Sequence, residues 1–130
     1  MKKILIIEDE ASYVKILSDR LSSLDFKISI AENGKEGLAT ALKDKPDLIL
    51  LDIRMPIMDG TTVLTKLRKE NRYGAKVKVI FLTNLEPSSE IIKQVIKNQP
   101  TYYFVKSDIN LKELISKVKK LLDSNNTQRI

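Results

Sequence analysis

Five short apolar runs rich in β-branched residues, at positions 4–7, 28–31, 48–51, 77–82 and 102–105, decide what this chain can fold into. Three of them are nearly continuous rather than alternating, the pattern of strands buried on both faces of a parallel sheet. The segments between them have helical spacing. Ala11, Val14, Leu17, Leu21 and Leu24 recur at three- and four-residue steps and would line one face of a first helix. Leu38, Ala41 and Leu42 mark a second helix, and Val63, Leu64 and Leu67 a third. Ile91, Ile92, Val95 and Ile96 mark a fourth, and Leu111, Leu114, Ile115, Val118, Leu121 and Leu122 a fifth. Pro46 stops the second helix, Pro87 with Ser88 and Ser89 opens the fourth, and Asn110 with Glu113 has capping-box spacing for the fifth. A βα unit repeated five times predicts an α/β fold. It would be a doubly wound, five-stranded parallel sheet with right-handed crossovers and helices on both faces.

At 130 residues the chain fits one ordinary domain. Residues 1–123 are expected to form it, with 124–130 as a polar tail and no stretch left over for an output domain. There is no cysteine and no histidine. Their absence excludes disulfides, zinc sites of the Cys/His kind, catalysis that depends on either residue, and a histidine phosphocarrier role. No apolar run approaches the roughly 20 residues that span a bilayer. The run after Met1-Lys2-Lys3 is too short for a signal peptide and meets Glu8-Asp9-Glu10 at once. A soluble cytoplasmic protein without membrane contact is therefore expected. The formal net charge of +6 comes from 23 basic and 17 acidic residues, with the lysines scattered over what reads as a solvated surface.

In an open α/β sheet, ligands sit beyond the carboxyl ends of the strands, where the strand order reverses. The first strand here ends in Glu8-Asp9-Glu10, the third in Asp52, the fourth in Thr83-Asn84 and the fifth in Lys106. Carboxylates crowded at one edge repel, so one of them takes up a proton or a cation neutralises them. Oxygen ligands without His or Cys favour a hard cation, and a few carboxylates with water and a substrate phosphate is the usual Mg²⁺ arrangement. A carboxylate beside such a metal can act as a nucleophile and become an aspartyl-phosphate. A lysine and a hydroxyl close by could offset the phosphoryl charge. The plainer alternatives are that Glu8 and Asp9 cap the first helix, and that Thr83 and Tyr103 only pack.

The stretch Leu50-Leu51-Asp52-Ile53-Arg54-Met55-Pro56-Ile57-Met58-Asp59-Gly60 closely resembles the phosphorylation loop of response-regulator receiver domains. Ile6-Ile7-Glu8-Asp9-Glu10, Thr83 and Tyr103-Phe104-Val105-Lys106 resemble the family's other signatures, in the same order, and the resemblance covers essentially the whole chain. It implies the flavodoxin-like strand order 2-1-3-4-5 and a phosphorylation switch of a two-component, histidine-to-aspartate relay. Asp52 would be the phosphoacceptor. Glu8, Asp9 and Asp52, with the backbone carbonyl of Arg54, would hold Mg²⁺. Lys106 and Thr83 would hold the phosphoryl group, and Pro56 and Gly60 would shape the loop. Thr83 and Tyr103 would act together as the switch that changes the surface of helix four, strand five and helix five. Such a domain is a phosphoacceptor that catalyses only its own phosphorylation and dephosphorylation. The implied partners are a histidine kinase or histidine phosphotransfer protein and a downstream effector protein. A homodimer on phosphorylation is common among receivers.

Three positions depart from the family's usual pattern. Ser107 follows Lys106 where proline after a cis peptide is usual, Asn84 follows Thr83 where a smaller residue is frequent, and Asn98-Gln99-Pro100 replaces the usual Gly-Ala approach to strand five. None removes a chemical group. A flavodoxin-like redox module would need a phosphate-cradling loop rich in Ser, Thr or Gly after strand one, where this chain carries three acids. An aspartyl phosphatase would carry its nucleophile after strand one rather than strand three. A pseudo-receiver that only docks partners would lack part of the acidic set. Lys93, Lys97, Lys112, Lys117, Lys119 and Lys120 flank helices four and five, but without a recognition element or aromatic platform direct nucleic-acid binding is not expected.

Overall fold

The computed structural model describes residues 1–84, 90, 93, 102–106 and 111–123. The strands are β1 (Lys3–Ile7), β2 (Lys27–Ala31), β3 (Leu48–Asp52), β4 (Lys78–Thr83) and β5 (Tyr102–Val105). They form one parallel sheet in the order β2-β1-β3-β4-β5. The described helices are α1 (Ala11–Ser22), α2 (Gly34–Asp44), α3 (Gly60–Glu70), the single turn α4 (Arg72–Lys76) and α5 (Leu111–Leu122). The sheet order and the helices on both faces agree with the expectation from sequence. The helix expected around Ile91–Ile96 lies outside the described residues, as do its Pro87 start, the Asn98-Gln99-Pro100 segment, Asn110 and the tail.

Each central strand feeds two cores, which explains its unbroken apolar sequence. Leu5, Ile7, Ile49, Leu51, Val79 and Phe81 pack with Val63, Leu64 and Leu67 of α3 and Ala41 of α2. Ile4, Ile6, Leu48, Leu50, Ile80 and Leu82 pack on the other side with Val14, Leu17 and Leu21 of α1 and Leu114 and Val118 of α5. The alternation follows from the two-residue period of a strand. Burying one such side chain is worth about 1.5–3 kcal/mol. Among the residues expected on the inner face of α1, Ala11 is exposed, because it stands at the helix start; Tyr13 packs against that core instead.

Helix ends follow local chemistry. Asn33 caps α2, its side chain accepting from the Glu36 amide at 2.8 Å. Lys45 closes α2 in the left-handed region at φ 49°, its amide donating to the Ala41 carbonyl, and Pro46 follows. Asp59 caps α3, its Oδ1 accepting from the Thr62 amide and the Thr61 hydroxyl. Burial pulls its carboxyl up, but those hydrogen bonds outweigh it and hold Asp59 below the usual carboxylate range. The turn α4 has no counterpart in the sequence reading, since five residues are too few to show a period.

Candidate functional site

The sheet order reverses between β1 and β3, and the carboxyl ends of these two strands are where a ligand site is expected. The two-residue alternation that turns Ile4 and Ile6 toward α1 and α5 continues to Glu8, whose amide still pairs with the Ala31 carbonyl at 3.1 Å. The same alternation carries Leu48 and Leu50 on to Asp52. It also carries Phe104 on to Lys106, whose amide donates to the Thr83 carbonyl at 2.6 Å. Three ionisable residues far apart in sequence thus reach the same side of the same edge.

They are buried there. Glu8 is 3% exposed, Asp52 8% and Thr83 1%. The Lys106 ammonium donates to Glu8 Oε2 at 2.8 Å, and Glu8 Oε1 accepts from the Glu10 amide at 3.2 Å. Glu8 therefore serves the cleft; the N-cap residue of α1 is Glu10, which makes no side-chain cap. The Ile53 amide donates to Asp52 Oδ1 at 2.9 Å and fixes the carboxyl's rotation. Carboxylate oxygens of Glu8, Asp9 and Asp52 lie within 4.8 Å of one another. Burial first, and then the neighbouring Glu8 charge, push the Asp52 carboxyl up to about 7, against the opposing pull of Lys106 and the Ile53 amide. A cluster so short of positive charge fits a hard cation held by oxygen.

The cleft encloses about 640 Å³ and is lined by Glu8, Asp9, Glu10, Asp52, Arg54, Thr83, Asn84 and Lys106. One water occupies about 30 Å³ of liquid, so a hydrated cation and a phosphoryl group fit together. Every acidic, basic and hydroxyl residue expected at the site lies on this cleft. Tyr103 stands outside its lining, half-buried against the core on the α2/α3 side. It neighbours Phe81 across the β4–β5 ladder, and Thr83 follows Phe81 by two residues, so Tyr103 and Thr83 share one face of the sheet. The peptide between Lys106 and Ser107 lies outside the described residues. The sequence reading missed Tyr13, whose ring centroid is 4.4 Å from the Lys106 ammonium. Its only sequence signal is an aromatic in the first turn of the helix that follows the acids.

The loop from Asp52 to α3 is tightly drawn. The Gly60 amide donates to the Ile53 carbonyl at 2.7 Å, and a methyl at Gly60 would fall on the Asp52 carbonyl oxygen. Ile57 sits at φ 72° with its side chain exposed, an unusual backbone for a β-branched residue. Replacing Ile57 by Gly should therefore raise stability by about 1 kcal/mol. A urea midpoint that falls instead, at unchanged slope, would show that the loop is not strained there.

Similar proteins have this architecture. A sequence model of the response regulator receiver domain matches residues 4–119. A probable transcriptional regulator of Porphyra purpurea, ycf29, is 36% identical over 98% of this chain and 60% of its own length. The transcriptional regulatory protein PcoR of Escherichia coli is 31% identical over 94% of this chain and 52% of its own. The chain thus spans little more than half the length of these curated relatives. Among solved structures, a CheY-like receiver domain protein of Methanospirillum hungatei superposes with a TM-score of 0.86 at 28% identity, covering 98% of each chain. Response regulator TrrA of Thermotoga maritima, solved in complex with Mg²⁺ and BeF, superposes at 0.78 with 35% identity, over 94% of this chain and 100% of that one. No helix among the described residues is long and apolar enough to cross a membrane. The matched span takes in every strand residue but Lys3 and the whole acidic cleft, and the chain belongs to the response regulator receiver domain family.

Proposed function

We propose that this domain is a phosphorylation switch of a two-component system, taking a phosphoryl group onto Asp52 from a histidine kinase or histidine phosphotransfer protein in the cytoplasm. The observation that carries this reading is the buried Asp52 carboxyl at the end of β3. Glu8 and Asp9 stand within 4.8 Å of it, and a lysine ammonium is already in the cleft. Mg²⁺ would be held by the carboxylates of Glu8, Asp9 and Asp52 and by the Arg54 carbonyl, where it supplies positive charge for phosphoryl oxygens. Asp52 attacks phosphorus through a carboxylate oxygen. The bond from phosphorus to the donor breaks, and the donor leaves with the electron pair. Lys106 and the Thr83 hydroxyl neutralise and hold the phosphoryl oxygens. The new group adds about −1.5 to −2 charge and three acceptor oxygens. Thr83 is drawn toward it, and Tyr103, on the same face of the sheet, moves into the space left. The surface around β5 and α5 then changes and is read by an effector protein.

The test is incubation with acetyl phosphate, with and without Mg²⁺, followed by intact mass. One phosphoryl group is expected on the wild type only with Mg²⁺, and none on Asp52→Asn. No addition to the wild type would leave the fold standing and move the function to a phosphate-independent docking module.

A further inference from the structure

Among the described residues, the Lys106 ammonium meets both a carboxylate and an aromatic ring. Its ammonium lies 2.8 Å from Glu8 Oε2 and 4.4 Å from the centroid of the Tyr13 ring. The Lys106 side chain is 8% exposed, so little water competes for the cation. A desolvated ammonium over an aromatic face is at the strong end of such attractions. Tyr13 is anchored for this task. It leaves the first turn of α1, is half-buried, and packs against the core that holds Val14, Leu17 and Phe104. Burial first, then the charges of Glu8, Glu10 and Asp52, push its phenol up to about 12, so the ring stays neutral wherever the protein works.

The two neighbours restrain Lys106 differently. Glu8 holds the ammonium through a directional, charge-assisted hydrogen bond, which must be given up when the cation turns to a phosphoryl group. A ring face attracts the cation without asking for a particular N–H direction. It can therefore keep hold while the ammonium exchanges Glu8 for phosphoryl oxygens. Lysine has a flexible four-carbon stem, and fixing one end of its path removes rotamer freedom before the reaction begins. We propose that Tyr13 is a positioning residue for phosphoryl transfer, its ring face holding the Lys106 ammonium beside the Glu8 and Asp52 carboxylates so that the arriving phosphoryl group meets a placed cation. The inference rests on Asp52 being the phosphoacceptor.

Two substitutions separate the ring from mere bulk. Tyr13→Phe keeps the aromatic face, and Tyr13→Leu keeps apolar packing without it. With acetyl phosphate and Mg²⁺, Tyr13→Leu should phosphorylate about fivefold more slowly than wild type, while Tyr13→Phe stays within about twofold. Carbon–proton NMR of lysine side chains in the unphosphorylated protein gives a readout that packing alone would not move. The Lys106 ε-protons should be shifted upfield by the ring in wild type and Tyr13→Phe, and return to ordinary lysine positions in Tyr13→Leu. Equal rates for wild type and Tyr13→Leu, a Tyr13→Phe as slow as Tyr13→Leu, or unshifted ε-protons in wild type would each overturn the inference while leaving Asp52 as acceptor. A wild type that takes no phosphoryl group at all would bring down the acceptor reading and this inference together.

Discussion

Lys106→Ala should slow phosphorylation of Asp52 by about 10²-fold, the usual cost of removing one group aimed at charge that develops in the reaction. In the resting protein the ammonium is committed to Glu8, with side chains 8% and 3% exposed on the two partners. Removing one partner of a buried pair leaves the other charge uncompensated. In this variant Glu8, Asp9 and Asp52 would crowd together with no lysine among them. Proton uptake or a bound cation then becomes the only relief. The variant should thus bind Mg²⁺ at least as tightly as wild type while reacting far more slowly. That split assigns the lysine to the phosphoryl group rather than to the metal. A Lys106→Ala protein that reacts at the wild-type rate would remove Lys106 from the chemistry. One that loses Mg²⁺ affinity in step with its rate would make the lysine a structural support of the acidic cluster.

Much of this site is legible in sequence because strand ends are legible. A parallel strand packed on both faces must be apolar without interruption, so the acid or lysine that ends the run marks the edge of the sheet. Asp52 after Leu51, Glu8 after Ile7 and Lys106 after Val105 all follow that rule. Other features belong to tertiary contacts that no local pattern encodes. Lys106 meets Glu8 across 98 positions, and the longer reach of a glutamate over an aspartate matters only once the strands are assembled. Tyr13 reads as an aromatic beside the apolar stripe of α1; only the distance to Lys106 gives it a part in the site. Gly34 reads as an ordinary helix start after Asn33. In the fold, a methyl there would collide with the Met58 carbonyl, so α2 lies directly against the loop that carries Ile57 and Met58.

Asp52→Asn should make the protein more stable at pH 8 and indifferent to Mg²⁺, with both effects gone near pH 4. Burial and the Glu8 charge raise the folded-state carboxyl from 3.8 to about 7, so between these values the folded protein binds a proton that the unfolded chain has released. Stability therefore falls as pH rises from about 4 to about 7 and levels off above, the direction required when the folded state binds more protons. A change of that size would be worth about 4 kcal/mol in full. The cleft is open to solvent, which screens the charge, so about 1–2 kcal/mol is the expected cost of ionised Asp52. Asparagine keeps the shape and an acceptor for the Ile53 amide but never ionises, and so escapes that cost. A cation that binds the ionised cluster offsets the same cost in wild type. At a hundredfold excess over its dissociation constant it should contribute about 2.7 kcal/mol. Thermal melts of both proteins at pH 5 and pH 8, with and without Mg²⁺, read all of this at once. Wild type should rise with Mg²⁺ by several degrees at pH 8 and far less at pH 5, while Asp52→Asn starts higher at pH 8 and moves little. A wild type equally stabilised by Mg²⁺ at both pH values would place the metal elsewhere. An Asp52→Asn protein less stable than wild type at pH 8 would mean that Asp52 is held by contacts stronger than its crowding.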